Sequence, residues 1–521
     1  MSDYIFGANI LENLTTGMYQ DSKVIYREYI QNACDQIDKA VKDGVLKQGE
    51  GAISIWPDLD SRTIVIEDNA TGISADFFKQ TLGNIADSDK IIGEDKGFRG
   101  IGRLCGLAYC EQLVFRSSAK GEDIESIMVC DAKKMRRMID ENSRGKKHTA
   151  NEVLHAINSF EREKAKDIDS HFFRVELIDI NDENTDLLDF QQVKEYLSFI
   201  APVPFQNSFI YRNDVYGHAK EIGSKIDEYK ITLNGESVFK KYTTILKESS
   251  GKKYDDIFGV EFKDFYCNDK LLAWMWVGVS KFQKAIPKIN KMRGIRLRKE
   301  NIQIGGEDAI QKLFKEDRGN SYFIGELFAV EKDLIPNSQR DYFNENAMRA
   351  TFEREIKRYL NEELHKVYRD GSSINSSIKK IDIYERKENE FKEKDDAGAF
   401  VDKEHRERDL NIVIDSKKEA ELARDKIEKM KVKSGCLMQK IINRIECERP
   451  GLAKKSFSTV IDKNNDDDKS KINMKSRRCD KLSQFNKSER KLISKIFSII
   501  TMATDGQTAE MIISKIEEGL Q

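Results

Sequence analysis

Three polar residues share one arc of a predicted helix near the start of the chain. The sequence YREYIQNACDQIDK (residues 26–39) has helical periodicity, and Glu28, Asn32 and Asp35 fall together, opposite an apolar arc. Periodicity alone assigns such an arc to solvent. These residues could also carry out chemistry, because a carboxylate can orient or deprotonate water and an amide oxygen one helical turn away can bind Mg²⁺.

Another carboxylate, Asp68, lies where a predicted strand ends. TIVIED (residues 63–68) alternates in the manner of a half-buried strand, and Gly72 follows in the next turn. A carboxylate at the base of a pocket can accept a hydrogen bond from the amino group of adenine. An Asx turn between a strand and a helix would explain the same residues equally well.

A glycine cluster, KGFRGIGRLCG (residues 96–106), comes next and precedes a predicted helix. Glycines let backbone amides approach phosphate groups, and the start of a helix favours anions. Close helix packing also uses glycines, so the cluster is weak evidence when taken alone. Its candidate phosphate-binding residues are Lys96, Gly97, Arg99, Gly100, Ile101 and Gly102.

Together, and in this order, the three segments indicate an ATP pocket with its own base. They resemble the GHKL, or Bergerat-fold, ATPases, and among these the heat shock protein 90-type chaperones most of all. REYIQNACDQIDK, LGNIADS (residues 82–88) and GFRGIG are similar to that branch's N-box helix, lid-preceding segment and glycine loop. The resemblance implies Glu28 as general base, Asn32 as Mg²⁺ ligand, Asp68 as the adenine-binding residue and residues 97–102 as lid and phosphate loop.

Two positions depart from the family pattern. Ala70 stands where the family usually has the first glycine of its DxGxG motif, and Phe172 or Phe173 stands where a Gly-Thr pair commonly contacts the adenine network. Farther along, DLIPNSQRDYF (residues 333–343) is similar to the middle-domain loop that sends an arginine to the γ-phosphate. The resemblance makes Arg340 a catalytic candidate, although an arginine beside Asp341 is more often part of a surface ion pair.

The segments must be positioned by an α+β domain with helices packed on a mostly antiparallel sheet. We predict a Bergerat-fold ATP-binding α/β sandwich over residues 1–205, with a polar helical insert from about Lys133 to Lys166. A second α/β domain, the transducer or middle domain, is predicted over residues 206–370, and YKITLNG (residues 229–235) is one of its strand candidates. Over residues 371–448 we predict a helical hairpin or a coiled-coil dimer stem, with Ala420, Ala423, Ile427, Met430, Leu437 and Ile441 at the spacing of a coiled-coil seam. Residues 449–521 predict a linker, which includes KNNDDDKSK (residues 463–471), and C-terminal helices of which Ser488 could cap the first.

Composition limits the partners. The 521 residues contain 88 Lys and Arg and 90 Asp and Glu, so binding to nucleic acid would need a local patch. The basic segments KKMRRM (residues 133–138) and KINKMRGIRLRK (residues 288–299) are candidates, but solvated faces balanced by acids are the commoner explanation. The eight cysteines form no CxxC pair, and neither a leader nor an apolar run suited to a membrane span is evident, so we expect a cytoplasmic protein.

These observations predict an ATPase that works as a conformational clamp on a protein client or partner. We expect ATP and Mg²⁺ as cofactors and a homodimer, at least transiently. Two alternatives stay open at this point. One is a DNA-associated clamp similar to the microrchidia and MutL proteins, and the other is a nucleotide-sensing adaptor without significant hydrolysis.

Overall fold

The computed structural model describes residues 5–15, 17, 21–85, 100–433, 435–449, 452, 493, 496–497, 500 and 506–519. The predicted linker at residues 463–471 and the predicted cap Ser488 lie outside this set. The chain forms two compact units. Unit 1 contains residues 1–280 and 285–365, and unit 2 contains residues 281–284 and 366–521.

Unit 1 begins with a sheet that has eight strands among the described residues, in the order β5-β4-β3-β6-β2-β1-β7-β8. All pairings are antiparallel except that of β1 with β7. Its alternating strands bury one face in an apolar core. The strands are β1 (Ala52–Asp58), β2 (Thr63–Asp68), β3 (Cys110–Ser118), β4 (Ile124–Asp131), β5 (Asn158–Lys164), β6 (Phe172–Ile180), β7 (Lys230–Leu233) and β8 (Glu236–Ser237).

Helices cover this sheet, and α2 is the longest of those that contact it. Ile30, Ala33 and Ile37 of α2 recur at helical spacing and are buried in the same core as β1 and β2. Lys39 and Lys42 lie in its last turn, where the helix dipole favours positive charge. The helices are α1 (Asn9–Leu14), α2 (Val24–Lys42), α3 (Ala75–Gly83), α4 (Ala132–Ser143), α5 (Ala150–Ile157) and α6 (Phe190–Ile200).

The later part of unit 1 has its own sheet and its own aromatic core. The sheet order is β11-β12-β15-β13-β14, and β9 and β10 form a separate hairpin. Trp276 of β12 is fully buried among the aromatic rings of Phe205, Phe209 and Tyr242, and Trp274 is fully buried and stacks on the Phe328 ring at 4.3 Å. The elements are α7 (Arg212–Glu221), β9 (Ile245–Lys247), β10 (Lys253–Asp256), β11 (Gly259–Cys267), β12 (Lys270–Val279), β13 (Gly294–Lys299), β14 (Ile302–Gln303), β15 (Ile324–Ala329) and α8 (Ala347–Tyr359).

In unit 2, the described residues from 366 onward are mainly helical. Helix α9 (His365–Asp396) and α10 (Lys403–Lys433) run antiparallel, as the ion pairs Lys394–Asp409 and Lys380–Glu419 show. Ala420, Ala423 and Ile427, three of the predicted seam residues, are buried. The remaining helices are α11 (Cys436–Glu448) and α12 (Gly506–Gly519).

The mixed architecture confirms the predicted α+β class, whereas three local expectations differ from the structure. The stretch from Lys133 to Lys166, predicted to be helical, contains α4, α5 and the edge strand β5. The strand within YKITLNG, expected in the second domain, is β7 of the first sheet, which therefore draws on residues beyond the predicted boundary at 205. The basic strand β13 is buried at every position from Gly294 to Lys299.

Candidate active site

The polar arc of α2 is not a solvated surface. Glu28 is 8% exposed and Asp35 is 6% exposed, while Asn32 is half-buried. The 3-10 helix of residues 102–108 and helix α6 pack against α2. Burying carboxylates costs free energy unless other groups compensate for the lost water. Groups from other segments must therefore contact Glu28 and Asp35, and helical periodicity cannot identify those groups.

Glu28 lies between two arginines. Its Oε1 atom is 3.5 Å from Nη2 of Arg27 and 3.5 Å from Nε of Arg340. Its other oxygen lies against Gly102, where an added Cβ would approach Oε2 to 2.6 Å. The structure thus brings together three residues that the sequence places far apart, Glu28, Gly102 and Arg340.

Arg340 reaches this place from a loop with unusual backbone geometry. Its φ is +53°, in the left-handed region that non-glycine residues rarely adopt. The Arg340 N–H donates to the Asn337 carbonyl at 3.1 Å, and its own carbonyl accepts from the N–H of Gly305 at 2.8 Å. Backbone strain of about 1 kcal/mol or more is tolerated when the surrounding structure fixes a residue, often at a functional site.

Asp68 is buried at the end of β2, the strand against which α2 packs. Burial raises the pKa of its carboxyl to about 7, although the hydrogen bond from the N–H of Ala70, at 3.0 Å, acts in the opposite direction. A carboxyl with this pKa is part ionised and part protonated at neutral pH. It can therefore accept a hydrogen bond from a ligand amino group without the full cost of a buried charge.

Gly72 shows why this turn needs a glycine. Its φ is +64°, and a Cβ at this position would lie 1.9 Å from the carbonyl oxygen of Ser118. Next to it, the Ser117 hydroxyl accepts from the N–H of Ile73 at 2.7 Å and donates to the Phe172 carbonyl at 2.9 Å. Phe172, one of the two residues considered for the family's Gly-Thr position, thus contributes its backbone carbonyl to the contacts around this turn.

Sequence analysis missed residues that fix this turn and the glycine segment. The His171 ring lies 2.6 Å, through Nδ1, from the carbonyl of Ala70. The hydroxyl of Tyr29 donates to the Arg103 carbonyl at 3.0 Å and accepts from the N–H of Gly106 at 3.1 Å. Their only sequence signal was their place beside motif residues, since contacts between distant segments leave no local pattern.

The glycine segment is described from Gly100 onward. Gly100 has a φ of +67°, Ile101 follows it, and Gly102 begins the 3-10 helix. Three of the predicted phosphate-binding residues, Lys96, Gly97 and Arg99, lie outside the described residues, as does the end of LGNIADS.

A magnesium ion would fit the donor set of this site only if the protein and the substrate both supplied ligands to it. Among the described residues, no three His, Cys, Asp or Glu side chains are grouped as a metal cage. Mg²⁺ commonly takes one or two protein ligands and completes its shell with phosphate oxygens and water. Asn32, half-buried between two buried carboxylates on α2, offers the single amide oxygen that such an arrangement needs.

The basic segment at residues 288–299 is mostly committed to internal contacts. Arg298 is fully buried and pairs with Glu326, and Arg296 stacks over the Phe199 ring at 4.1 Å. Arg293 pairs with Glu307 at 2.8 Å. This segment therefore offers little free charge to a nucleic-acid backbone. Among the helices that the structure describes, none is both long and apolar enough to cross a membrane.

Comparison with known proteins agrees with the geometry. Residues 22–164 match the family model of histidine kinase-, DNA gyrase B- and HSP90-like ATPases. A segment of 130 residues is 28% identical to chaperone protein HtpG of Coxiella burnetii and covers 22% of this chain and 20% of that protein. HtpG of Methylorubrum populi is 30% identical over 108 residues, covering 18% of this chain and 17% of that protein, and HtpG of Escherichia coli O1:K1 is 28% identical over 135 residues, covering 22% of each.

The chain thus spans about a fifth of the length of the curated relatives that it matches. The matched part contains α2, the Asp68 turn and the glycine segment, whereas Arg340 lies far outside it. On this sequence and structural basis, residues 22–164 resemble a GHKL-type ATPase domain of the kind found in the heat shock protein 90-type chaperones.

Proposed function

We propose that this protein binds and hydrolyses ATP, and that it uses the nucleotide cycle to close and reopen a clamp on a protein client. The observation that carries the proposal is the contact between Glu28 and Arg340. A candidate base in the ATPase domain and a candidate cation from a second sheet domain meet in one buried cluster. Such a pair can respond to nucleotide in one domain and transmit the response to the other.

Each residue has a distinct task in this mechanism. The Asp68 carboxylate accepts a hydrogen bond from the adenine amino group, and Gly72 lets the base approach the backbone. The segment from Gly100 to Gly102, with Lys96, Gly97 and Arg99 before it, donates backbone and side-chain hydrogen bonds to the phosphates. Asp35 supports the binding arc of α2. Mg²⁺, held through Asn32, would neutralise phosphate charge.

Glu28 orients the attacking water and accepts its proton, which requires that its carboxylate be available. In the structure that carboxylate is shared by Arg27 and Arg340. When the γ-phosphate is bound, its negative charge competes for Arg340, which turns from the carboxylate to the phosphate and stabilises the charge that develops there. Arg340 therefore both restrains the base before binding and completes the site afterwards.

A protein client suits the structure better than DNA does. The curated relatives are named as chaperones, and the basic strand β13 is buried. We further propose that closure brings two copies of the chain together, at least transiently. We place the protein in the cytoplasm, because Cys105, Cys110 and Cys130 are buried and form no disulfide within the described part of the chain.

The test combines ATP binding by calorimetry with Mg²⁺-dependent turnover. Glu28→Ala should retain binding and lose turnover by about 10²- to 10⁴-fold, the usual contribution of a general base. Asp68→Asn should lose binding. Glu67→Gln is the matched control, because Glu67 precedes Asp68 but pairs with Arg174 on β6, and both properties should survive in it.

Each alternative has its own outcome. Unchanged turnover in Glu28→Ala would refute the assignment of the base. Binding without turnover in the wild type would favour the nucleotide-sensing adaptor. Cross-linking with and without a non-hydrolysable ATP analogue then tests closure, and a pattern that nucleotide leaves unaltered would contradict the clamp.

A further inference from the structure

Unit 1 contains a cleft of about 720 Å³ whose lining does not include the Asp68 turn. One wall comes from the first turns of α2 and from α6. The other comes from β13, from Gly305 and Gly306 after β14, and from the loop around Gln339. Neither Glu28 nor Asp68 lines it. Its size is within the range of small-molecule sites in proteins.

Two buried arginines line this cleft with unused hydrogen-bonding capacity. Arg27 and Arg296 are each 6% exposed. Arg27 donates only through Nη2, to the Gln339 carbonyl at 3.0 Å and, weakly, to Glu28 at 3.5 Å, as far as the described residues show. Its Nε has no hydrogen-bond partner among them.

Arg296 is similar. It donates through Nη1 to Gln303 at 3.1 Å and through Nη2 to the Lys291 carbonyl at 2.5 Å, while its Nε has no partner within the described part of the chain. Burial lowers the pKa of this guanidinium, although Glu307 and Glu326 act in the opposite direction. Buried cations with unused donors are costly unless an anion compensates for them.

The other charged side chains of the lining have partners inside or outside the cleft. Of its carboxylates, Asp21 lies 3.9 Å from Lys23, and Asp341 accepts a hydrogen bond from Asn337 at 2.5 Å. Lys291 pairs with Glu195 at 2.9 Å, and Lys23 pairs with Asp186. Glu307 lies 2.8 Å from Arg293 and 3.9 Å from Arg296. Arg27 and Arg296 differ from the lysines of the lining in that each has a buried Nε without a hydrogen-bond partner among the described residues. Beside them, Tyr196 and Phe199 of α6 supply an aromatic wall.

We propose that this cleft binds a small anion in which a phosphate or carboxylate is attached to a flat apolar group. Arg27 and Arg296 hold the anionic group, since guanidinium groups suit planar and bidentate recognition. The apolar group packs against Phe199 and Tyr196. The site goes beyond the proposed ATP hydrolysis and does not depend on it.

Two contacts connect the lining of the cleft with the candidate active site. Gly305, a lining residue, donates its N–H to the carbonyl of Arg340, and Arg27 contacts Glu28. A ligand held by Arg27 therefore engages the same cluster that contains the candidate base. The cleft is placed to be a regulatory site.

The experiment titrates the full chain with phenyl phosphate by calorimetry, with saturating ADP present to occupy the nucleotide pocket. We expect one molecule to bind per chain with a Kd of roughly 1 mM, a typical strength for a probe of this size. Phenol and inorganic phosphate, which each lack one half of the probe, should bind about tenfold more weakly. Binding that ADP abolishes would place the probe in the nucleotide pocket and overturn the proposal, as would no binding at all.

Gly306 gives a matched pair of variants. A Cβ added there meets only the mobile end of the Asp308 side chain at 2.7 Å, with every other atom at 3.8 Å or beyond, so the fold should accept it. Gly306→Glu adds a negative charge to the cleft wall and should weaken phenyl phosphate about tenfold. Gly306→Gln has the same size and should change the Kd less than about threefold. Equal affinities in the two variants, with unchanged melting temperatures, would overturn the assignment of an anion site.

Discussion

Unit 1 has two buried ionic clusters that differ in how well their charges are satisfied. In the core cluster, Lys240, Arg298 and Glu326 are fully buried. Glu326 accepts from Lys240 at 3.0 Å, from Arg298, and more weakly from side chains of the aromatic core. In the site cluster, Arg27, Glu28 and Arg340 are buried almost as deeply, yet their ion pairs are 3.5 Å long.

This difference distinguishes buried charges that stabilise the fold from buried charges that could bind a ligand. Arg298 also donates to the carbonyls of Asn301 and Phe199, each at 2.8 Å, so the core cluster has no capacity left for a ligand. The site cluster has long contacts and an Arg27 Nε with no partner in the described chain. Loosely satisfied charges can exchange partners at low cost when a substrate arrives, whereas a saturated network resists change.

The largest expected effect on folding comes from removing the charge of the core cluster. Glu326→Gln leaves Lys240 and Arg298 buried without a counter-ion and should lower the free energy of unfolding by about 3 kcal/mol. Glu28→Gln is the same chemical change in the site cluster and should cost no more than about 1 kcal/mol. Urea denaturation followed by tryptophan fluorescence measures both, and equal losses would remove the distinction between the clusters.

The second effect concerns turnover rather than stability. Arg340→Ala should lower Mg²⁺-dependent ATP turnover about 100-fold, because one aligned donor to transition-state charge is typically worth that much. ATP affinity should change little. Arg354→Ala on α8, which removes an arginine whose side chain is 68% exposed, is the control. A fall in affinity without a fall in the turnover number would mean that Arg340 binds substrate but does not assist catalysis.

The sequence predicted the motif-bearing segments of the fold well, because each motif is local. Helix α2 and the strand that ends at Asp68 lie where periodicity and turn residues indicated, and the described part of the glycine segment, from Gly100, leads into a 3-10 helix. The position of β7 was not predictable in this way. A four-residue strand gives no signal of whether it joins the nearer or the farther sheet, since that depends on packing between residues almost 180 positions apart.

Charge was the least informative local signal. The charge pattern predicts solvent exposure for the basic strand β13 and for the polar arc of α2, but β13 and the two carboxylates of the arc are buried. Their counter-charges come from distant segments, Glu326 for Arg298 and Arg340 for Glu28. A sequence shows how many charges a segment carries, but only tertiary packing decides which of them are compensated.

Asp68 extends the comparison to pH. Burial raises its pKa to about 7, whereas for Glu326 the effect of burial is outweighed by Arg298 and Lys240, which hold the pKa below its ordinary value. A raised carboxyl pKa stabilises the folded state below the unfolded pKa, and this contribution is lost as the pH rises through the folded value. Between about pH 5 and about pH 8 the wild type should therefore lose about 2 kcal/mol of unfolding free energy.

Asp68→Asn carries no titrating proton at this position and should lack that loss. The measurement is urea denaturation of both proteins across the same pH range, with the difference between them as the readout. Parallel curves would show that Asp68 has an ordinary pKa and would place it with the well-compensated carboxylates. A stability difference between wild type and Asp68→Asn that grows towards low pH would show that the Asp68 carboxyl, like the charges of the site cluster, is poorly compensated.

The smallest effect isolates the backbone strain that the site cluster carries. Arg340 adopts a φ of +53°, a conformation that glycine accepts at little cost and alanine does not. Arg340→Gly and Arg340→Ala both remove the guanidinium, so they should lose turnover equally. The glycine variant should nevertheless be more stable by about 1 kcal/mol, the strain of a left-handed non-glycine residue. If urea denaturation finds the two variants equally stable, the loop relaxes once the Glu28 contact is gone, and that contact itself holds the strained conformation.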